Sequence, residues 1–321
     1  EVGVPGSVGL RGAMTVKTLV VGSGGLVGSA VARNLSIDSF HAAKIPWGTD
    51  VAADALGDQL ERFVEWAADE DWGIVWAAGA GVMNTSQDSP DVELKVFESF
   101  CDRLPGVLPR GRGGFYLVSS AGGMYAGSAN PPFGPGTTPQ PLNAYGRMKA
   151  AQEQRAIEKL SPLLPVTIGR VANAYGPGQD LYKQQGLITQ LGLSALLNRP
   201  ATIFAPLPTL RDYIYVDDIA RFVCSDVHRM SGAGPSVTRR VVGSGRSASI
   251  SELIAIVEHT SGRTFPVMHR LTGGPYFLDL RLQASDQVGV AGQGTPLETG
   301  VSLVFQDLQR QLAAGHLAAL V

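Results

Sequence analysis

Cysteine is almost missing from this sequence: Cys101 and Cys224 are the only two. Two thiols so far apart exclude a disulfide framework and a cysteine-ligated zinc site. Both stand in apolar, helix-like stretches and read as small buried hydrophobes. Charge of one sign is also missing, since 26 basic residues face 28 acidic ones and no basic run stands out. Nucleic acid is therefore excluded as the main partner. No apolar run approaches the roughly 18–20 residues that cross a bilayer, so the expectation is no membrane partner. The first thirteen residues, Glu1 to Ala13, lack the basic start and long apolar stretch of a signal peptide. They read as a leader or a remnant ahead of a native start at Met14, and the expected location is cytoplasmic and reducing.

With 44% hydrophobic and 17% charged residues over 321 positions, what is present is an ordinary globular chain. That length holds one large α/β domain, or a nucleotide-binding domain with a smaller companion. Four short runs are apolar on both faces: Thr18–Val21, Gly73–Ala78, Gly114–Val118 and Val166–Val171. Helical stretches separate them, through Leu35, from Asp58 to Ala68, from Val92 to Leu104 and around Ala144 to Leu160. Strands of a buried parallel sheet read this way, and right-handed crossovers then give an α/β, doubly wound sheet. After Asn173 the alternation breaks down into Gly- and Pro-rich loops, predicting a smaller C-terminal lobe. The expected division is a dinucleotide-binding domain over 14–175 and a mainly substrate-binding lobe over 176–321, some of whose segments return to the first domain. Only about fourteen residues separate the first helix from Asp50, so the second and third strands are short or one is missing.

Three sites carry chemistry. In Gly22-Ser23-Gly24-Gly25-Leu26-Val27-Gly28 the glycines permit a tight turn and close backbone approach to a pyrophosphate. The helix that follows offers free N–H groups and its positive end to phosphate. Tyr145 and Lys149 stand at i and i+4, one helical turn apart on one face. An ammonium so close to a phenol favours the anionic form, which suits acid/base work, and Lys149 can also hold a ribose hydroxyl. Ser119 and Ser120 end the third strand, where ligands of open α/β sheets bind. Ala121-Gly122-Gly123 beyond them leaves the backbone open to a substrate.

These motifs, in this order, resemble the extended short-chain dehydrogenase/reductases. Ala77-Ala78-Gly79 after a strand belongs to the same set. So do Arg170-Val-Ala-Asn173-Ala-Tyr175-Gly176-Pro177 and Arg211-Asp212-Tyr213-Ile214-Tyr215-Val216-Asp217-Asp218, which are similar to stretches of nucleotide-sugar epimerases and dehydratases. The resemblance implies a Rossmann domain, NAD (with NADP open) as cofactor, a nucleotide-sugar as substrate and a homodimer paired through the helix of Tyr145. Tyr145 would be the acid/base, Lys149 would hold the nicotinamide ribose, and Ser120 or Ser119 would share the substrate hydroxyl. The turn 22–28, Asp50, Val51, Ala77, Ala78, Gly79 and Ser119 would line the cofactor. Ser120, Ala121, Gly122, Asn173, Arg211 and, more weakly, Arg281 would meet the substrate.

The sequence also departs from that pattern. Ala121 occupies the usual catalytic Ser/Thr position, and Gly122-Gly123 stands where dehydratases of dTDP-sugars carry an Asp-Glu pair. His41-Ala-Ala-Lys44-Ile-Pro46-Trp47 has no carboxylate where the adenosine ribose is bound, which with Arg33 and Lys44 nearby leaves NADP open. Tyr182 to Ile188 is a candidate substrate loop. The leading expectation is an epimerase working through a transient keto-sugar. The alternatives are a net NADP-dependent reductase or dehydrogenase of a nucleotide-sugar or small keto substrate, and a non-catalytic dinucleotide-binding protein.

Overall fold

The computed structural model describes residues 15–79, 88–181, 186–270, 277–285 and 294–317. Its first half alternates strand and helix: β1 (Lys17–Val21), α1 (Leu26–Leu35), α2 (Ala52–Ala67), β2 (Trp72–Trp76), α3 (Asp88–Arg103), β3 (Gly113–Ser120), the short α4 (Ala121–Tyr125), α5 (Ala144–Leu160) and β4 (Pro165–Val171). Then follow β5 (Asn173–Tyr175), α6 (Leu187–Leu197), β6 (Ala201–Ile203), β7 (Leu210–Tyr215), α7 (Val216–Ser231), β8 (Ser236–Val242), β9 (Ser247–Ser249), α8 (Ile250–Ser261), β10 (Val267–His269), β11 (Asp279–Leu280) and α9 (Leu297–Ala313).

The main sheet runs β1-β2-β3-β4-β8 with every neighbouring pair parallel. Period-two alternation sends Leu19, Ile74, Phe115, Leu117 and Ile168 to one face, into a core shared with α2, α3 and α5. Val20, Val75 and Tyr116 point to the other face, against α1 and α7. Both faces are buried, which is why these strands carry apolar residues at successive positions.

β1 forms the edge of this sheet. Beyond it stands a single parallel bridge, Thr18 with Ser39, extended by a hydrogen bond from the Phe40 N–H to the Thr18 carbonyl (2.7 Å). The fourteen-residue spacing explains this, since it leaves no room for a second strand, helix and third strand. Chain that would continue the ladder turns away, and the Ala43 N–H is taken by Gln59 Oε1 of α2 (2.9 Å). Trp47 then packs edge-on against Trp76 of β2, ring centroids 6.2 Å apart.

Past β4 the elements are short. β11, β7 and β5 form a small sheet, with β9 antiparallel on β7, and β6 pairs with β10. α6, α8 and α9 pack around a second core containing Leu191, Leu253, Val304 and Leu308. Because β5 starts two residues after β4 ends, the small sheet hangs from the C-terminal edge of the large one. Among the described residues no helix is long and apolar enough to cross a membrane.

Candidate functional site

The Gly-rich turn closes with a hydrogen bond from the Gly25 N–H to the Gly22 carbonyl (3.0 Å). Gly22 has φ +93°, and a Cβ there would stand 2.5 Å from the Ala78 backbone nitrogen. A Cβ on Gly28 would lie 2.2 Å from the Gly22 oxygen. Neither position admits a side chain, so the turn lies directly against Ala77-Ala78 at the end of β2. Ser23, Gly24 and Gly25 are exposed, with open space over Gly24, while Leu26 and Val27 are half-buried in the first turn of α1. Gly25 caps α1 without any side-chain acceptor, leaving the first N–H groups of a ten-residue helix to an outside anion. A pyrophosphate fits this cradle.

One sheet position further along, β3 ends in the two serines. Alternation separates them. Ser119 donates to Glu153 Oε1 (2.6 Å), and Glu153 is held by Arg170 through two hydrogen bonds, 3.0 and 2.7 Å long. Arg170 also donates to the Tyr125 hydroxyl (2.8 Å), which donates to the Gly134 carbonyl (2.8 Å). This buried chain ties β3, α5, β4 and α4 together, and burial pushes the Tyr125 phenol above its ordinary range despite Arg170. Ser120 points the other way and caps α4, accepting from the Gly123 N–H (3.1 Å). Ala121 packs with Met124, Tyr125 and Phe133, so its methyl faces a core, whereas Gly122 is half-exposed.

Asn143 caps α5, its Oδ1 accepting from the Gly146 N–H (2.8 Å), and thereby sets Tyr145 in the first turn. The half-buried Tyr145 ring lies against Gly123, where a Cβ would stand 3.2 Å from ring carbon Cε1. A Cβ on Gly146 would come 2.3 Å from the Gly123 oxygen, so two glycines let α4 and α5 touch. Lys149 is only 4% exposed, and its Nζ stands 5.9 Å from the centre of the Tyr145 ring. It donates to Gln152 Oε1 (3.0 Å) and lies 3.8 Å from Glu93 Oε1 of α3, while Gln152 Nε2 donates to the same Glu93 oxygen (3.3 Å). Gly79 borders this group, since a Cβ on it would lie 3.3 Å from Glu93 Oε1 and 3.7 Å from Lys149 Nζ.

Asn173 and Arg211 fall on one face of the small sheet, and Arg281 on the other. Asn173 is level with Tyr213 on β7, and its side-chain amide donates to the Asp212 carbonyl (2.9 Å). Arg211 is level with Leu280 on β11 and donates to the Leu210 carbonyl (2.8 Å); burial lowers its pKa. Such a desolvated guanidinium gains from an anionic partner. Arg281 follows β11 on the face opposite Leu280 and Leu282, exposed and clasped by Asp279. Asp50 and Val51 are exposed at the start of α2. Tyr182 to Gln185 of the candidate loop lie outside the described residues. Arg33 pairs with Asp217 of α7 (3.2 Å).

Glu93, Gln152 and Glu153 escaped the sequence reading. A signal existed for two of them, because Gln152 and Glu153 stand at i+3 and i+4 from Lys149 and share its helix face. Glu93, brought from α3, left none.

The motif-bearing part of the chain, residues 18–230, matches the family described as "NAD dependent epimerase/dehydratase family". The chain is 31% identical over 138 residues to a dTDP-L-rhamnose 4-epimerase of Burkholderia thailandensis, which covers 40% of this chain and 36% of the relative. It is 30% identical over 167 residues to a dTDP-4-dehydro-6-deoxyglucose reductase of Escherichia coli, covering 51% and 47%. The match thus spans less than half the length of these curated relatives. Among solved structures, the fold is shared with a UDP-glucose 4-epimerase of Thermotoga maritima bound to UDP-glucose, at TM-score 0.69 and 21% identity over 92% of this chain and 99% of that one. A tunicamycin-biosynthesis NDP-hexosamine 5,6-dehydratase shares it at TM-score 0.70 and 18% identity, over 91% and 97%. With the turn, the Tyr-Lys pair and a family match over more than half its length, this chain belongs to the NAD-dependent epimerase/dehydratase family.

Proposed function

We propose that the chain epimerises a nucleotide-linked sugar through a transient keto-sugar, with a nicotinamide dinucleotide on the Gly-rich turn. The observation that supports this best is the Tyr145–Lys149 pair beside the C-terminal edge of the sheet: a half-buried phenol with a buried ammonium 5.9 Å from the centre of its ring. Tyr145 takes the proton of the sugar hydroxyl being oxidised and returns it on reduction. Lys149 keeps a fixed positive charge next to that phenol and meets the nicotinamide ribose. When bound, the dinucleotide supplies the hydride acceptor and, on the return step, the hydride donor. Ser120 is the hydroxyl left to share the substrate oxygen, because Ser119 is committed to Glu153. Arg211 and Asn173 hold the nucleotide diphosphate, and Arg281, exposed and clasped by Asp279, is the weaker candidate for a second phosphate contact.

Gly122-Gly123 offers no acid/base pair for dehydration, which favours the simple oxidation–reduction cycle over loss of water. A net reductase of a nucleotide-linked keto-sugar is the second reading. It is favoured by the missing carboxylate after Ser39 and by the reductase among the relatives. Incubation with UDP- and dTDP-sugars, followed by proton NMR, tests both. An epimer forming with no net change in nicotinamide supports the first reading. Stoichiometric consumption of reduced dinucleotide moves the account to the second, and no conversion of any sugar overturns both.

A further inference from the structure

Lys149 is not the only charge buried beside the site. Glu93 reaches it from α3, equally buried, with 3.8 Å between carboxylate and ammonium. The fully buried Gln152 accepts from Lys149 Nζ (3.0 Å) and donates to Glu93 Oε1 (3.3 Å), which holds the two charges at that spacing. The pair borders open space. Gly79, just past the end of β2, is exposed, and a Cβ on it would stand 3.3 Å from Glu93 Oε1 and 3.7 Å from Lys149 Nζ. The Gly-rich turn packs on the residue before it, Ala78. The next buried charges, Glu153 on α5 and Arg170 on β4, pair with each other and add no net charge. The positive charge that Lys149 brings to the site is thus offset by the carboxylate of Glu93.

That offset bears on the hydride. A nicotinamide ring is cationic when oxidised and uncharged when reduced. A positive charge beside it favours the reduced form, and a negative charge favours the oxidised one. Lys149 alone would make the bound dinucleotide a ready hydride acceptor and a reluctant donor. Epimerisation needs both directions. The sugar carbon gives its hydride to the ring while Tyr145 takes the hydroxyl proton, and both then return to the keto-sugar.

We propose that Glu93 sets the redox balance of the bound dinucleotide: its carboxylate offsets Lys149 and keeps return of the hydride as accessible as its uptake. This rests on the reading above, in which Lys149 meets the nicotinamide ribose. Glu93 is a positioning residue, acting through its charge and through Lys149 rather than by touching the sugar.

The test is calorimetric titration of the full chain with NAD+ and NADH, and with NADP+ and NADPH. The ratio of the oxidised to the reduced dissociation constant reports a potential and needs no turnover. In Glu93→Gln the oxidised form is expected to weaken against the reduced form by about tenfold, the Coulomb scale of one charge lost about 10 Å away. Glu93→Asp keeps the charge and should keep the wild-type ratio, even where both affinities fall together. Lys149→Met should move the ratio the other way, which tests the charge argument without touching Glu93. An unchanged ratio in Glu93→Gln overturns the inference, as does a Glu93→Asp ratio displaced as far as that of Glu93→Gln. A wild-type chain that binds no dinucleotide takes down the dinucleotide reading itself, and this inference with it.

Discussion

Glu93 and Lys149 face each other across the α3–α5 packing with 3.8 Å between carboxylate and ammonium, both less than a tenth exposed. Gln152 bridges them with one hydrogen bond to each. A buried pair of this kind is costly to break from one side, because the remaining charge keeps its desolvation penalty. Glu93→Ala is predicted to lower stability by about 3 kcal/mol in urea unfolding at neutral pH. Glu93→Gln should cost less, since its amide oxygen still accepts from Gln152. Unchanged stability in Glu93→Ala would show that Lys149 does not depend on this carboxylate.

The two serines at the end of β3 should separate cleanly. Ser119→Ala removes a donor to a buried carboxylate and is expected to cost about 1.5–3 kcal/mol of stability, with turnover largely kept. Ser120→Ala removes the cap of α4, worth about 1 kcal/mol, and in this account lowers turnover about a hundredfold. Unfolding curves and kcat measured side by side check the pair. The reverse pattern would assign the substrate hydroxyl to Ser119.

Much of this arrangement was legible in the sequence. The parallel strands declared themselves because two buried faces demand apolar residues at successive positions, as in Ile74-Val75-Trp76. The Gly-rich turn and the Tyr145–Lys149 spacing are local, so their geometry follows from chain positions alone. Even the missing strand left a trace in the fourteen residues before Asp50. What stayed hidden is tertiary. Glu93 reaches Lys149 only because α3 packs on α5, and the bond from Ser119 to Glu153 joins residues 34 apart. The small strands of the second lobe, two or three residues each apart from β7, are too short to show a period. The pair of Arg33 with Asp217 is likewise tertiary, joining residues 184 positions apart.

The capping box of α8 gives a pH prediction. Hydrogen bonds from the Ser249 backbone N–H and hydroxyl hold the exposed Glu252 carboxyl below its ordinary value of 4.5. A carboxyl whose folded pKa is lowered contributes stability that is fully present above its unfolded pKa and is lost as pH falls through the folded one. Wild type should therefore exceed Ser249→Ala by about 1 kcal/mol at neutral pH. That margin should narrow below pH 4.5, with the part due to the Ser249 hydroxyl accepting from the Glu252 N–H persisting. Urea denaturation over a pH series reads it, and a constant margin would show that the bond from the Ser249 hydroxyl to the Glu252 carboxylate adds nothing.

The central claim is that Tyr145 moves the proton while a nicotinamide dinucleotide on the Gly-rich turn moves the hydride. Its most direct test is Tyr145→Phe, charged with oxidised dinucleotide, mixed with the nucleotide-sugar substrate and followed by the near-ultraviolet absorbance of reduced nicotinamide. The account predicts that the variant binds the dinucleotide as wild type does, yet forms no reduced nicotinamide and turns over at least about a hundredfold more slowly. Full turnover in Tyr145→Phe, with wild-type formation of reduced nicotinamide, would contradict it.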